Sequence, residues 1–256
     1  MNRSSVQLDW SIEGLQFALD HNNIVVIVDT LRFSSAVVTA VSNGFTLYPV
    51  SDQQRGTQLA ESIGAEMSGK PGQARYSLSP LSYLNTDDGC NKEVVLFSPN
   101  GAACAELVRK HDTAYIGCLL NAKAVGQYIS RQAQQTHQNV TVIAAGEQRS
   151  TDTGEKIVYI QKNARRVFAV EDYLGCGAIF CYTDLSKTAE AEVCALAYEA
   201  SQSRLLDILC KSFSGQYLIQ HNLSGDIEHA GQVNRYDIVP AIRDGKIECH
   251  GRGRFQ

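Results

Sequence analysis

No uncharged apolar run in this chain approaches the roughly eighteen residues that a membrane-spanning helix needs. No dense Lys/Arg run occurs either, and the 256 residues carry a net charge of −4, so neither nucleic acid nor a membrane surface is an expected partner. The opening stretch, MNRSSVQLDWSIEGLQ, lacks the continuous apolar core of a signal peptide and carries Asp9 and Glu13. Cysteine is plentiful, at eight, but no C-x-x-C pair exists and several of the thiols sit in apolar runs, where cysteine packs as a small hydrophobe. A reduced, cytoplasmic protein is expected. The six histidines show no ligand spacing. No G-x-G-x-x-G follows the first strand and no Walker loop appears. An anionic ligand must therefore be caught by local groups.

What is present begins with IVVIVDTLRFSSAVVTAV, residues 24–41. Five β-branched apolar residues, Ile24 to Val28, suit a strand buried on both faces. Asp29 stops the run, Ser34 or Ser35 supplies an N-cap residue, and Ala36, Val37, Ala40 and Val41 resume at helical spacing. Strand, polar elbow and helix follow one another. In open α/β sheets such elbows gather outside the carboxyl ends of the strands, where ligands bind. This one offers an acid, a guanidinium, two hydroxyls and a helix N-terminus, a set that favours anions.

The same unit recurs. A strand over 93–97 leads through Ser98-Pro99-Asn100-Gly101 to a helix over 102–110, and a strand over 113–116 leads through Gly117-Cys118 to a helix from Leu120 to about Gln134. A strand over 140–144 ends at Ala145-Gly146-Glu147. Alternation of this kind predicts an α/β fold with a largely parallel sheet. Residues 1–23 predict a lead-in helix or strand with Trp10 packed inwards, and 45–50 a short strand before a helix capped by Ser51 or Asp52. The Gly-, Ser- and Pro-rich segment 68–91 is longer than an ordinary connector. Helices are predicted over 164–182, 188–201 and 204–213, then a hairpin turning at Asp244-Gly245. The length admits one large or two small domains.

Within VFAVEDYLGCGAIFCY, 167–182, the charged residues are the adjacent Glu171 and Asp172. Helical spacing puts Phe168, Asp172, Cys176 and Ile179 on one face, so Asp172 lies in an apolar stripe. A carboxylate there must be protonated, bound to a metal, or paired with an arginine such as Arg165 or Arg32. Asp29 has several readings: metal ligand, general base, phosphoryl acceptor, or a cap for the next helix. Arg32 is either a fork for phosphate or sulfonate oxygens or an Asp-paired arginine. Ser34 and Ser35 either donate to an anion or cap. Asn100-Gly101 suits a ligand contact or a plain turn. A haloacid-dehalogenase phosphatase would need a second Asp where Leu31 stands, and a tyrosine-phosphatase loop C-x5-R is absent. A thiol at an elbow, as at Cys118, can be activated by a helix N-terminus, although buried inert thiols are commoner.

The segment VDTLRFSSAVVTAV resembles the V-D-x-L-R-A-(S/T)-(S/T) stretch of the 2-phosphosulfolactate phosphatases, the ComB family. SPNGAA (98–103), GCLLNAKAV (117–125), AAG (144–146), EDYLGCGA (171–178) and DIVP (237–240) match in the same order. Three departures stand out: Ala102 replaces a hydroxyl residue, Leu78 replaces the Asn of an N-S-P loop ending in Ser79-Pro80, and 147–162 resembles an insertion. The resemblance implies a mostly parallel or mixed sheet flanked by helices over 1–256, either undivided or parted near 145–165 with the site in a cleft. It implies Mg2+ bound by Glu171, Asp172 and Asp29, catalysis by Asp29, Arg32 and Asp172, and a small anionic phosphorylated substrate. Ser34, Ser35, Asn100, Gly101, Gly117, Cys118 and Asn121 would line that substrate's site. The competing readings are an isochorismatase-like cysteine hydrolase using Asp29 and Cys118, and a non-catalytic anion-binding relative. The apolar C-terminal helices leave room for a homodimer.

Overall fold

A computed structural model describes residues 4–84, 92–108, 114–148 and 166–252. The chain opens with β1 (Ser5–Trp10), α1 (Ser11–Asp20), β2 (Ile24–Val28), α2 (Phe33–Ser42), β3 (Thr46–Val50), α3 (Gln53–Ile63) and β4 (Glu66–Met67). Next come β5 (Glu93–Phe97), α4 (Gly101–Leu107), β6 (Ala114–Gly117), α5 (Ala122–Thr136), β7 (Val140–Ala144), β8 (Glu147–Gln148) and β9 (Arg166–Val167). It closes with α6 (Val170–Cys181), β10 (Ser186–Lys187), α7 (Ala189–Ser201), α8 (Leu205–Lys211), α9 (Phe213–Gln220), α10 (Ser224–Ala230), β11 (Ile238–Arg243) and β12 (Lys246–Arg252).

Ten strands form one mixed sheet in the order β10-β1-β7-β2-β6-β11-β12-β3-β5-β4, while β8 and β9 pair separately. Strands β10, β1, β7, β2 and β6 run parallel, as do β3, β5 and β4. The antiparallel hairpin β11–β12 lies between the two sets and joins them. The turn expected at Asp244-Gly245 is there, with φ of 50° and 78°. Two successive residues at positive φ match the twist of a tight hairpin.

Strand β2 is the centre of the core. Its five residues are at most 1% exposed. Ile24, Val26 and Val28 pack towards α5 and α6, and Val25 and Ile27 face the opposite layer, which contains α1, α2 and α4. Each such side chain stabilises the fold by about 1.5–3 kcal/mol, which is why a continuous apolar run belongs here. Helix α2 is buried from Phe33 to Val41 and touches β3, β6, β11 and β12, so the sheet wraps round it. As expected, it ends at Asn43 and Gly44, the latter at φ 86°, and Asp52 caps α3 by accepting from the Arg55 N–H at 2.8 Å.

Several boundaries differ from expectation. Residues 1–23 hold both a strand and a helix rather than one of them. The helix expected over 164–182 starts only at Val170, because Arg166 and Val167 form β9 against β8. Phe168 consequently leaves the apolar stripe and is 55% exposed, while Asp172, Cys176 and Ile179 stay buried. The helix expected over 204–213 is divided at Ser212, whose hydroxyl caps α9. The insertion lies largely outside the described residues, which resume at Arg166. No disulfide joins the described cysteines, and no described helix is long and apolar enough to cross a membrane.

Candidate active site

The carboxyl end of β2 places Asp29 against two other elbows. Its Oδ2 accepts from the Gly101 N–H at 2.8 Å and its Oδ1 from the Phe33 N–H at 3.3 Å. Gly101 is needed for this approach: a Cβ there would lie 2.3 Å from the Phe33 ring. Asp172, from the first turn of α6, reaches back to the same place. Its Oδ1 accepts from the Thr30 N–H at 2.8 Å and its Oδ2 from the Gly146 N–H at 3.0 Å. The elbows after β2, β5 and β7 and the start of α6 are thus laced together by two buried carboxylates.

A third carboxylate belongs to the cluster. Glu147 is buried, accepts from Asn100 Nδ2 at 3.1 Å through Oε1, and accepts from Ser214 Oγ at 2.7 Å through Oε2. Glu171, also buried, sits beside it on the wall of one cavity. Glu147, Glu171 and Ser214 line a cavity of about 110 Å³ between Phe168 and Phe213. The sequence marks Glu147 only as the end of an elbow, yet the rule that singles out Asp29, an acid just past a buried strand, applies to it equally.

Crowding like charges in a dry place raises carboxyl pKa values. Burial first, and the Glu147 charge second, push Asp29 up to about 7. Asp172 is driven well above its ordinary value by burial and by the charges of Asp29 and Glu171. Burial also lifts Glu171, against the pull of the serine hydroxyls. Among the described residues, no three His, Cys, Asp or Glu side chains form a ready-made metal cage. The oxygens nonetheless suit a hard cation, and Asn100 Oδ1 is buried with no hydrogen-bond partner among the described residues. Its amide orientation follows from its neighbour, since the nitrogen must face the Glu147 carboxylate.

The remaining candidates divide. Asn100 and Gly101 stand in the cluster as described. Ser34 and Ser35 turn inwards: Ser34 Oγ accepts from the Asp29 N–H at 2.9 Å, and Ser35 Oγ donates to the Thr30 carbonyl at 2.7 Å. Neither is the α2 N-cap, which is Arg32. Arg32 pairs with Asp226 at 2.8 Å, and Asp226 also accepts from Ser79 Oγ. It is therefore not the partner of Asp172, and Arg165 lies outside the described residues. Gly117 packs under α6, where a Cβ would lie 2.7 Å from Ile179 Cδ1. Asn121 accepts from the Cys118 N–H at 3.0 Å and donates to the Ile116 and Ile238 carbonyls, so its amide is used within the fold. Cys118 is fully buried, and burial pushes its thiol up to about 12. That is the state of an inert thiol, and it disfavours the cysteine-hydrolase reading.

A family model described as 2-phosphosulpholactate phosphatase matches residues 11–245. Among curated relatives, a "Probable 2-phosphosulfolactate phosphatase" of Caldanaerobacter subterraneus is 26% identical over 87% of this chain and 89% of its own. Another so named, from Carboxydothermus hydrogenoformans, is 28% identical over 91% of this chain and 92% of its own. The "2-phosphosulfolactate phosphatase" of Methanothermobacter thermautotrophicus is 27% identical over 89% of this chain and 90% of its own.

Proposed function

We propose that this chain, which belongs to the 2-phosphosulpholactate phosphatase family, is a phosphoric monoester hydrolase that releases phosphate from 2-phosphosulfolactate or a related small phosphorylated acid. The observation that carries the reading is the meeting of Asp29, Glu147 and Asp172 at the ends of buried elements, beside a cavity lined by Glu171. Burial and neighbouring negative charge raise Asp29 and Asp172, so keeping them charged is costly. Such a cost is expected where the groups have chemistry to perform. The names carried by the relatives favour the substrate.

Magnesium fits the donor set in kind. Asp29 and Asp172 would hold it, with Glu147 and Glu171 adjoining, and Asn100 Oδ1 offers a further oxygen. The lack of a three-ligand cage accords with an ion that keeps waters and takes only one or two carboxylates. When bound, magnesium neutralises the charge that the phosphoryl oxygens develop in the transition state. The chain's own part is positioning and proton handling. Burial and the Glu147 charge raise the Asp29 carboxyl to about 7 in the metal-free protein, and a bound cation would favour its charged form, the one that accepts a proton from attacking water. The Thr30 and Gly146 N–H groups fix the Asp172 carboxylate, and Glu147 holds Asn100 with its carbonyl turned away.

A phosphate-release screen with and without magnesium tests this, using phosphosulfolactate beside phosphoglycolate and phospholactate. Metal-dependent release is expected with at least the first, and Asp172→Asn should lose it while keeping its circular dichroism spectrum. Background release with every ester would sink the proposal.

A further inference from the structure

We propose that Arg166 is the side chain that grips the phosphoryl oxygens, an inference that rests on the phosphatase reading above. The sequence points to Arg32 for this role, but Arg32 is engaged by the buried carboxylate of Asp226. Arg166 is held differently. Its Nη1 donates to the Ala145 carbonyl at 3.0 Å and to Cys104 Sγ at 3.6 Å, and its Nη2 donates to the Pro99 carbonyl at 3.4 Å. Every one of those acceptors is neutral. Among the described residues, no ion pair cancels its charge.

Its place is as telling as its partners. Ala145 hydrogen-bonds through its N–H to Val28, the residue before Asp29, and Pro99 lies two residues before the Gly101 that holds Asp29 Oδ2. The guanidinium therefore bridges the two elbows that flank Asp29. Its charge also acts on that carboxyl, opposing the rise caused by burial. A phosphomonoester approaching buried carboxylates meets repulsion, and a guanidinium without an ion-pair partner among the described residues adds to whatever a bound cation offsets. A guanidinium has more N–H groups than the three acceptors occupy, so donors remain for an oxyanion. Carbonyl anchors hold the fork rigid without neutralising it, which is what a preorganised oxyanion site requires.

The test compares Arg166→Gln, Arg166→Lys and wild type for binding of inorganic phosphate by calorimetry and for turnover of phosphosulfolactate. Arg166→Gln should weaken phosphate binding about tenfold or more, the loss of one charge-assisted contact, and reduce kcat/KM at least as much. Arg166→Lys should recover part of the affinity but less of kcat, because it restores charge without the fork. Unchanged phosphate affinity in Arg166→Gln would overturn the inference. Should that variant not fold, Arg166→Lys decides: undiminished kcat/KM and phosphate affinity would overturn it, and a drop in both would support it. The two readings separate cleanly. If wild type hydrolyses no ester while phosphate binding still depends on Arg166, the phosphatase reading falls and the anion site stands. If turnover is metal-dependent but indifferent to Arg166, the reverse holds.

Discussion

Asp29 ends a strand that water does not reach, and two backbone N–H groups meet its oxygens. Its pKa is about 7 in the fold and near the ordinary 3.8 when unfolded. The folded state then holds more protons across that interval. The resulting contribution to stability is full below about pH 3.8 and is lost as pH rises towards 7. In metal-free protein, Asp29→Asn should therefore remove a downward slope of stability between those pH values, measured by denaturant titration at several pH values. An unaltered slope would mean that Asp29 is charged in the fold at all of them. His229 works in the opposite sense. Buried and hydrogen-bonded to Thr39 Oγ1 at 2.9 Å, it is pushed down to about 4 by burial and by Arg235. Its contribution is present above about 6.5 and lost as pH falls through 4. Comparison with the Asp29 variant is needed because the two slopes overlap and partly cancel.

The elements matter through the turns between them. Gly146 lies at φ 72°, and a Cβ there would sit 2.9 Å from the Val167 carbonyl. Its N–H carries one of the two bonds to Asp172. Gly146→Ala should cost about 1–2 kcal/mol in stability from the left-handed backbone alone, and should reduce turnover more than the lost stability accounts for. Thermal melts and initial rates on the same sample would check it, and wild-type activity would show that the elbow can relax without disturbing Asp172. Helix α6 starts later than its apolar periodicity suggests for a related reason. Periodicity runs unbroken through Phe168, but the pairing of β9 with β8 holds 166–167 extended. Helical spacing cannot report that a neighbouring strand competes for the same backbone groups.

Across the whole molecule, the C-terminal hairpin is the joint. Strand β11 pairs with β6 and β12 pairs with β3, so the last described residues of the chain unite two parallel sets formed much earlier in sequence. Ile247, fully buried and opposite Leu47, sits at that seam. Ile247→Ala should cost about 2–5 kcal/mol, and unfolding should remain a single transition because the sheet is shared. Two resolved transitions in the calorimeter would mean that the halves melt independently.

Local chemistry determined a good deal without help. A doubly buried strand needs an uninterrupted apolar run, an acid at its end needs an elbow, and a positive-φ pair needs Asp-Gly, so β2, Asp29 and the hairpin turn were all legible. The convergence of Asp29 with Asp172 was legible through family resemblance, because residues 143 positions apart show no spacing that could reveal it. Glu147 and Arg166 escaped, as did the pairing of Arg32 with Asp226. Those depend on which carbonyl or carboxylate lies across a gap between elements, and that is decided only when strand order and the curl of the sheet round α2 bring distant elbows together.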